Sequence, residues 1–230
     1  MKAVILAAGE GKRLRPLTDK IPKPLVHLAG KPLLEHLFEA LPPEVDEVIL
    51  VLGYRGEQIQ AHFGEKFGRF KLSYIFQEKR DGTARALALC KDSLGGERFL
   101  SLYADDLNGA KDLEELLKHP LSVLVKEVEQ PEKFGVVTLN KNGQVADIVE
   151  KPKVPPSNLV VTGPAVLDGR IFSYEPPQHE NGEYYLAEAI GQLVKDHPVV
   201  AVPQSLWIPI GYPEDLAKAE EILKRNKPRD

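Results

Sequence analysis

Ala3-Val4-Ile5-Leu6-Ala7-Ala8-Gly9-Glu10-Gly11-Lys12-Arg13 opens the chain with an unbroken apolar run that stops at a pair of glycines and two cations. A short run without polar alternation, ended by glycine, is the pattern of a strand buried on both faces of a parallel sheet. Glu47-Val48-Ile49-Leu50-Val51-Leu52 and Phe99-Leu100-Ser101-Leu102-Tyr103 repeat that pattern. Between them Leu33, Leu34, Leu37, Phe38 and Leu41 recur at helical spacing, and Thr83 to Cys90 is rich in Ala and Leu and free of proline. Strand and helix in alternation predict an α/β fold, a doubly wound, mostly parallel, Rossmann-like sheet flanked by helices.

The second half reads differently. Ser122 to Val128, Gly135 to Leu139, Val145 to Val149 and Val160 to Val166 are closely spaced strand patterns, with a turn signal at Asn142-Gly143. They predict an added antiparallel part. Helical spacing returns over Tyr185 to Lys195 and over Pro213 to Lys224, with Pro213 suited to a first helical turn. The proline-rich pieces Lys151 to Pro156 and Pro176-Pro177 are too short to separate independent domains. The expectation is one domain over 1–230, with a first half over about 1–110 and a second half over about 111–230.

Composition narrows the function classes. Thirty Lys and Arg against thirty-four Asp and Glu give a net charge of −4, which argues against a nucleic-acid binder with a basic face. Residues 1–31 nevertheless hold seven basic against two acidic side chains, a net of +5, leaving −9 on the rest. An anionic ligand is therefore expected at the glycine loop. The single cysteine, Cys90, rules out an internal disulfide and a Cys-based zinc site, and with no secretory pattern at Met1-Lys2 the expected location is cytoplasmic. No apolar run reaches the roughly 20 residues of a membrane span, so no membrane partner is expected. Oligomeric state is not legible. The six histidines form no His-x-x-x-His pair, and no Gly-x-Ser-x-Gly elbow occurs.

A glycine loop leaving a buried strand presents backbone N–H groups to phosphate oxygens, with Arg13 and Lys23 available to neutralise them. From the glycines alone, a surface turn with solvated cations fits as well. A dinucleotide fingerprint needs a third glycine and an unbroken helix, but Leu14 and Pro16 follow Gly9-x-Gly11. A P-loop needs Ser or Thr after Gly-Lys, where this chain has Arg13, and an earlier glycine, where it has Leu6.

The longer string Leu6-Ala7-Ala8-Gly9-x-Gly11-x-Arg13-Leu14-x-Pro16-Leu17-Thr18, followed by Pro22-Lys23-Pro24-Leu25, resembles the signature of the sugar-1-phosphate nucleotidyltransferases, or nucleotide-diphosphate-sugar pyrophosphorylases. The resemblance continues in order through Gln77 with Asp81-Gly82-Thr83-Ala84, Ala104-Asp105-Asp106, Glu150-Lys151-Pro152, Gly182 to Leu186, and Trp207 to Leu216. It implies attack of a sugar-1-phosphate oxygen on the α-phosphorus of a nucleoside triphosphate, with Mg2+ and release of pyrophosphate. Phosphoryl chemistry of this kind asks for positioning and charge neutralisation.

By the same resemblance, Leu6, Ala8, Gly9, Gly11, Lys12, Gln77, Gly82 and Thr83 bind the nucleotide, and Arg13, Lys23 and Asp105 carry catalysis. Asp105, at the end of a buried strand, is the implied magnesium ligand, with Asp106 either a supporting partner or a solvated side chain. Glu150, Lys151, Asn158, Thr162, Gly163 and Glu183 are implied on the sugar-phosphate side. The Gln77 amide pairs one donor with one acceptor, which complements uracil or thymine and favours UTP or dTTP.

Three departures stand out. Lys12 occupies a position usually held by Thr or Ser. Trp207-Ile208-Pro209-Ile210-Gly211 carries Pro209 where relatives place a second metal aspartate, and Ala187-Glu188 replaces a usual Thr-Asp pair. The expected function is sugar-1-phosphate nucleotidyl transfer; the alternatives are a nucleotide-sugar-binding regulator and a cytidylyl- or guanylyltransferase using another phosphate acceptor. A nicotinamide-dependent oxidoreductase is disfavoured by the loop. The pattern implies no appended β-helix domain.

Overall fold

The computed structural model of the chain describes residues 1–226. Strand β1 (Lys2–Ala7) leads into a loop braced by single 3-10 turns at Lys12–Leu14, Leu17–Asp19 and Lys23–Leu25. A two-rung ladder of β2 (His27–Leu28) and β3 (Lys31–Pro32) precedes helix α1 (Leu33–Ala40). Strand β4 (Glu47–Leu52), helix α2 (Gly56–Phe63), strands β5 (Lys66–Phe67) and β6 (Phe70–Phe76), and helices α3 (Thr83–Ala88) and α4 (Lys91–Leu94) follow. Strands β7 (Phe99–Tyr103) and β8 (Asp106–Asn108) and helix α5 (Ala110–Leu117) close the first half.

The second half supplies β9 (Ser122–Glu127), β10 (Gly135–Leu139), β11 (Val145–Glu150) and β12 (Leu159–Leu167), then α6 (Leu186–Asp196), β13 (Val200–Pro203), β14 (Trp207–Pro209) and α7 (Pro213–Asn226). Ten strands form one mixed sheet in the order β11-β10-β12-β7-β1-β4-β6-β5, with β9 and β13 attached beside β12. The expected fold class is the observed one. β7, β1, β4 and β6 are parallel, and the antiparallel part begins at β12.

Side-chain alternation along β1 explains the layering. Ala3, Ile5 and Ala7 pack with α1, α2 and α5 through Leu34, Phe38, Ile59 and Leu113, whereas Val4 and Leu6 face α3 and α6 through Leu87, Leu186 and Ile190. Burying each such aliphatic side chain contributes roughly 1.5–3 kcal/mol, so both faces of β1 must be covered. A third apolar cluster is local to the site: Leu14, Val26, Leu33, Leu107, Ile208, Ile210 and Ala219 join the glycine loop to β8, β14 and α7.

From β1 the chain steps to β4 and β6 on one side, then returns to β7 on the other. That reversal is a topological switch point, and a crevice lies outside the C-terminal ends of such strands. The register Leu6↔Tyr103 and Ala7↔Leu52↔Phe76 brings Gly9, Gly53, Gln77 and Ala104-Asp105 to that edge.

Candidate active site

The glycine loop is held open by its own contacts. Gly11 has φ +63°, and a Cβ there would press on Lys23 and Thr18 at 3.1 Å. The Thr18 hydroxyl donates to the Gly11 carbonyl at 2.8 Å, and the Tyr54 hydroxyl donates to the Thr18 carbonyl at 3.0 Å. Leu6 and Ala8 are buried at the strand end and shape the loop rather than line open surface. Gly9 is exposed, with nothing within 4 Å of where a Cβ would stand. Arg13 is exposed as well, its guanidinium 5.1 Å from the centre of the Tyr212 ring.

Lys23 lies below this loop and is only 7% exposed. Its Nζ is 2.9 Å from Oδ2 of Asp105, whose side chain is 46% exposed. A buried ammonium joined to one carboxylate that still faces solvent is poised to meet further anionic oxygens. Behind it, β14 pairs antiparallel with β8 and sets Pro209 opposite Asp106, while Trp207 Nε1 donates to Asp106 Oδ2 at 2.9 Å. Burial and the adjacent Asp105 charge push the Asp106 carboxyl up to about 7, against the Trp207 hydrogen bond and Lys23. Asp105, which faces solvent, with the buried Asp106 next to it in sequence, fits the preference of magnesium for one or two carboxylates completed by phosphate oxygens and water. No third His, Cys, Asp or Glu joins them among the described residues.

Gln77 is buried after β6; its backbone N–H donates to the Leu52 carbonyl at 2.7 Å. Its side-chain amide donates to the Gly82 carbonyl at 3.2 Å and to Asp81 at 3.3 Å, so the loop fixes its orientation. Gly82 has φ +112°, and a Cβ would fall 2.3 Å from the Tyr184 carbonyl oxygen. The visible work of Gly82 is this backbone approach. Thr83 is also committed: its hydroxyl accepts from Leu186 N–H at 2.9 Å, capping α6 from a position 103 residues away.

In the second half, Lys151 lies 3.2 Å from Glu150 and 4.1 Å from the Tyr185 ring centre. Burial works against the Lys151 charge, but Tyr185 and Glu150 outweigh it and hold the ammonium above its ordinary range. Burial raises the Glu150 carboxyl, and Lys151 offsets only part of that rise. Lys151 adopts φ +44°, uncommon for a side-chain-bearing residue. Gly163 approaches the Tyr103 ring so closely that a Cβ would meet it at 2.6 Å.

The remaining expected sugar-side residues divide. Glu183 accepts from Asn181 Nδ2 at 3.1 Å beside Tyr185. Asn158 is exposed at the start of β12. Thr162 is buried, and its hydroxyl donates to the Leu124 carbonyl at 3.3 Å, so that side chain serves the sheet where β12 changes register. Lys12 is not free either: it sits 3.2 Å from Glu10.

Sequence reasoning missed three participants, Glu10, Arg80 and His179, and met Glu188 only as a departure from the family pattern. Glu10 joins Lys12 to Arg80, and His179 pairs with Glu188 at 2.7 Å while its ring meets the Tyr185 ring edge-on at 4.7 Å. Glu188 Oε2 is buried without a hydrogen-bond partner. Of the three missed, Glu10, an acid enclosed by two glycines, carried a signal in the sequence.

Comparison with known proteins follows the same outline. Residues 2–226 match the family described as "Nucleotidyl transferase". The chain is 38% identical over 226 residues to the bifunctional protein GlmU of Methanocaldococcus jannaschii, covering 97% of this chain and 54% of that one. It spans about half the length of the bifunctional relatives it matches. It is 35% identical over 237 residues to the UTP–glucose-1-phosphate uridylyltransferase AglF of Haloferax volcanii, covering 97% of each chain. A protein of Bacillus anthracis assigned as a glucose-1-phosphate thymidylyltransferase, solved with sucrose, superposes with a TM-score of 0.85 at 29% identity, covering 100% of this chain and 97% of that one. A UDP-glucose pyrophosphorylase complexed with UDP-glucose shares the fold, with a TM-score of 0.83 at 24% identity over 98% of this chain and 99% of that one.

Proposed function

The chain belongs to the nucleotidyl transferase family, and within it we propose that it transfers a nucleoside monophosphate from UTP or dTTP to a sugar-1-phosphate. The acceptor's phosphate oxygen attacks the α-phosphorus, the α–β phosphoanhydride bond breaks, and pyrophosphate leaves. The observation that carries this reading is the buried Lys23 paired with Asp105 at the switch-point edge, directly beneath the glycine loop.

In this reading Gly9, Gly11 and Arg13 receive the triphosphate, and Lys23 stabilises the charge that develops during transfer. Lys151, fixed by Glu150 and the Tyr185 ring, receives the acceptor phosphate. The displacement needs the two phosphates held in line by such cations. Gln77 meets a pyrimidine base through its amide oxygen, the part not spent on Gly82 and Asp81, or turns its amide by releasing one of them. A magnesium ion, held by Asp105 with Asp106 in support, would supply charge neutralisation at the phosphates. AglF, a relative of nearly the same length, acts on UTP and glucose-1-phosphate by its name, which supports the sugar-1-phosphate reading.

One observation favours a second reading. Pro209 stands directly opposite Asp106 and contributes no carboxylate, as a nucleotide-sugar binder without turnover would have it. Pyrophosphate release with magnesium, measured across the common nucleoside triphosphates and a panel of sugar-1-phosphates, separates the two. Turnover with UTP or dTTP that falls at least about 100-fold in Asp105→Ala is expected. Tight nucleotide-sugar binding with no pyrophosphate from any pair would establish the binder instead.

A further inference from the structure

Lys12 and Arg80 are cations from two different loops, yet one carboxylate holds both. Glu10 Oε2 lies 3.2 Å from Lys12 Nζ and Glu10 Oε1 lies 2.8 Å from an Arg80 guanidinium nitrogen. Glu10 stands between Gly9 and Gly11, and Arg80 lies between Gln77 and Gly82, so the bridge spans the two loops assigned to the nucleotide. The Lys12 and Arg80 side chains remain 72% and 43% exposed, free to exchange partners, whereas Glu10 is 22% exposed. A pair on an exposed surface contributes little to stability. Its position beside Gly9, where nothing lies within 4 Å of a Cβ, gives it a different consequence.

We propose that Glu10 is an internal counter-ion at the mouth of the glycine loop, which an incoming triphosphate displaces, so that Lys12 and Arg80 become phosphate ligands and Glu10 opposes nucleotide binding. The inference rests on the nucleotide reading of this loop. A polyphosphate carries more negative charge than one carboxylate and offers guanidinium the bidentate geometry it favours, so exchange runs toward the ligand. The swap also absorbs Lys12: its additional charge is balanced in the free protein by the adjacent acid. Because Arg80 shares a loop with Gln77 and Gly82, its capture by phosphate would couple triphosphate binding to the placement of the base-side loop.

The test relies on opposite signs. UTP and dTTP, each with magnesium, are titrated calorimetrically into the unaltered chain, Glu10→Gln, Glu10→Ala, Lys12→Gln and Arg80→Gln at fixed ionic strength, with thermal unfolding measured for each. Both Glu10 variants are expected to bind the triphosphate about threefold more tightly, and Arg80→Gln about tenfold more weakly, with Lys12→Gln weaker as well. A folded Glu10 variant that binds more weakly, or unchanged, makes Glu10 a structural brace and overturns the proposal. If the chain releases no pyrophosphate with any acceptor but shows these opposed shifts, the transferase reading fails and the counter-ion role stands. If it binds neither triphosphate, both fall.

Discussion

Glycine positions separate into those that leave room for a ligand and those that let backbone meet backbone. Gly9 leaves open space, whereas Gly82 brings α3 against the backbone of Tyr184 with φ at +112°. No side chain can yield there, because the atoms a Cβ would strike belong to the main chain. Gly82→Ala is therefore expected to cost more than about 2 kcal/mol of stability, measured by urea unfolding. Gly9→Ala, by contrast, is expected to leave the urea midpoint nearly unchanged. The charged residues follow a comparable logic: Lys23, Lys12 and Lys151 each have a carboxylate partner within 3.2 Å. Each of these cations is thus compensated within the chain, and in the proposed reading phosphate oxygens replace or join the carboxylates.

Among the elements, α6 depends most on distant sequence. Its first turn is capped by Thr83 of α3, and its Glu188 reaches back to His179 in the preceding loop. Thr83→Val keeps the shape of the side chain and removes the acceptor, leaving the Leu186 N–H without its partner. A loss of about 1 kcal/mol is expected, with faster amide exchange confined to the first turn of α6; unchanged exchange would show that the cap is idle. The β8–β14 pair is the second such element. It joins Asp106 to Pro209 across 103 positions and secures Trp207 beneath the acids.

For the whole molecule, the crevice sets a pH dependence of stability. Asp106 is raised to about 7 in the folded chain from an ordinary value of 3.8, so the folded state holds a proton that the unfolded chain has released. The stabilisation is complete below pH 4 and is lost as pH rises through about 7. Glu150 is shifted in the same direction. Urea midpoints without divalent cation are expected to fall between pH 5 and pH 8 by the equivalent of a few kcal/mol, once compared with Asp106→Asn, in which most of that decline disappears. An equal decline in the variant would place the titration elsewhere. No helix among the described residues is long and apolar enough to cross a membrane.

Features that depend on neighbours along the chain are legible in its residues. The unbroken apolar runs of β1, β4 and β7 predicted strands covered on both faces, and the glycines after β1 marked the loop at their edge. The position of Asp105 at the end of β7 was legible for the same reason, because side-chain period and strand termination are local properties. Two elements between Gly53 and Gln77 escape that reading: α2 is weakly apolar, and β6 alternates at the sheet's margin instead of running apolar throughout. Which distant groups meet is set by the packing of the folded chain. Glu10 with Arg80, Thr83 with Leu186, Pro209 with Asp106, and the commitment of Thr162 to the Leu124 carbonyl all join residues from separate loops or strands. An ion pair or cap needs only two atoms within about 3 Å, and no local period records where a returning chain will place the second.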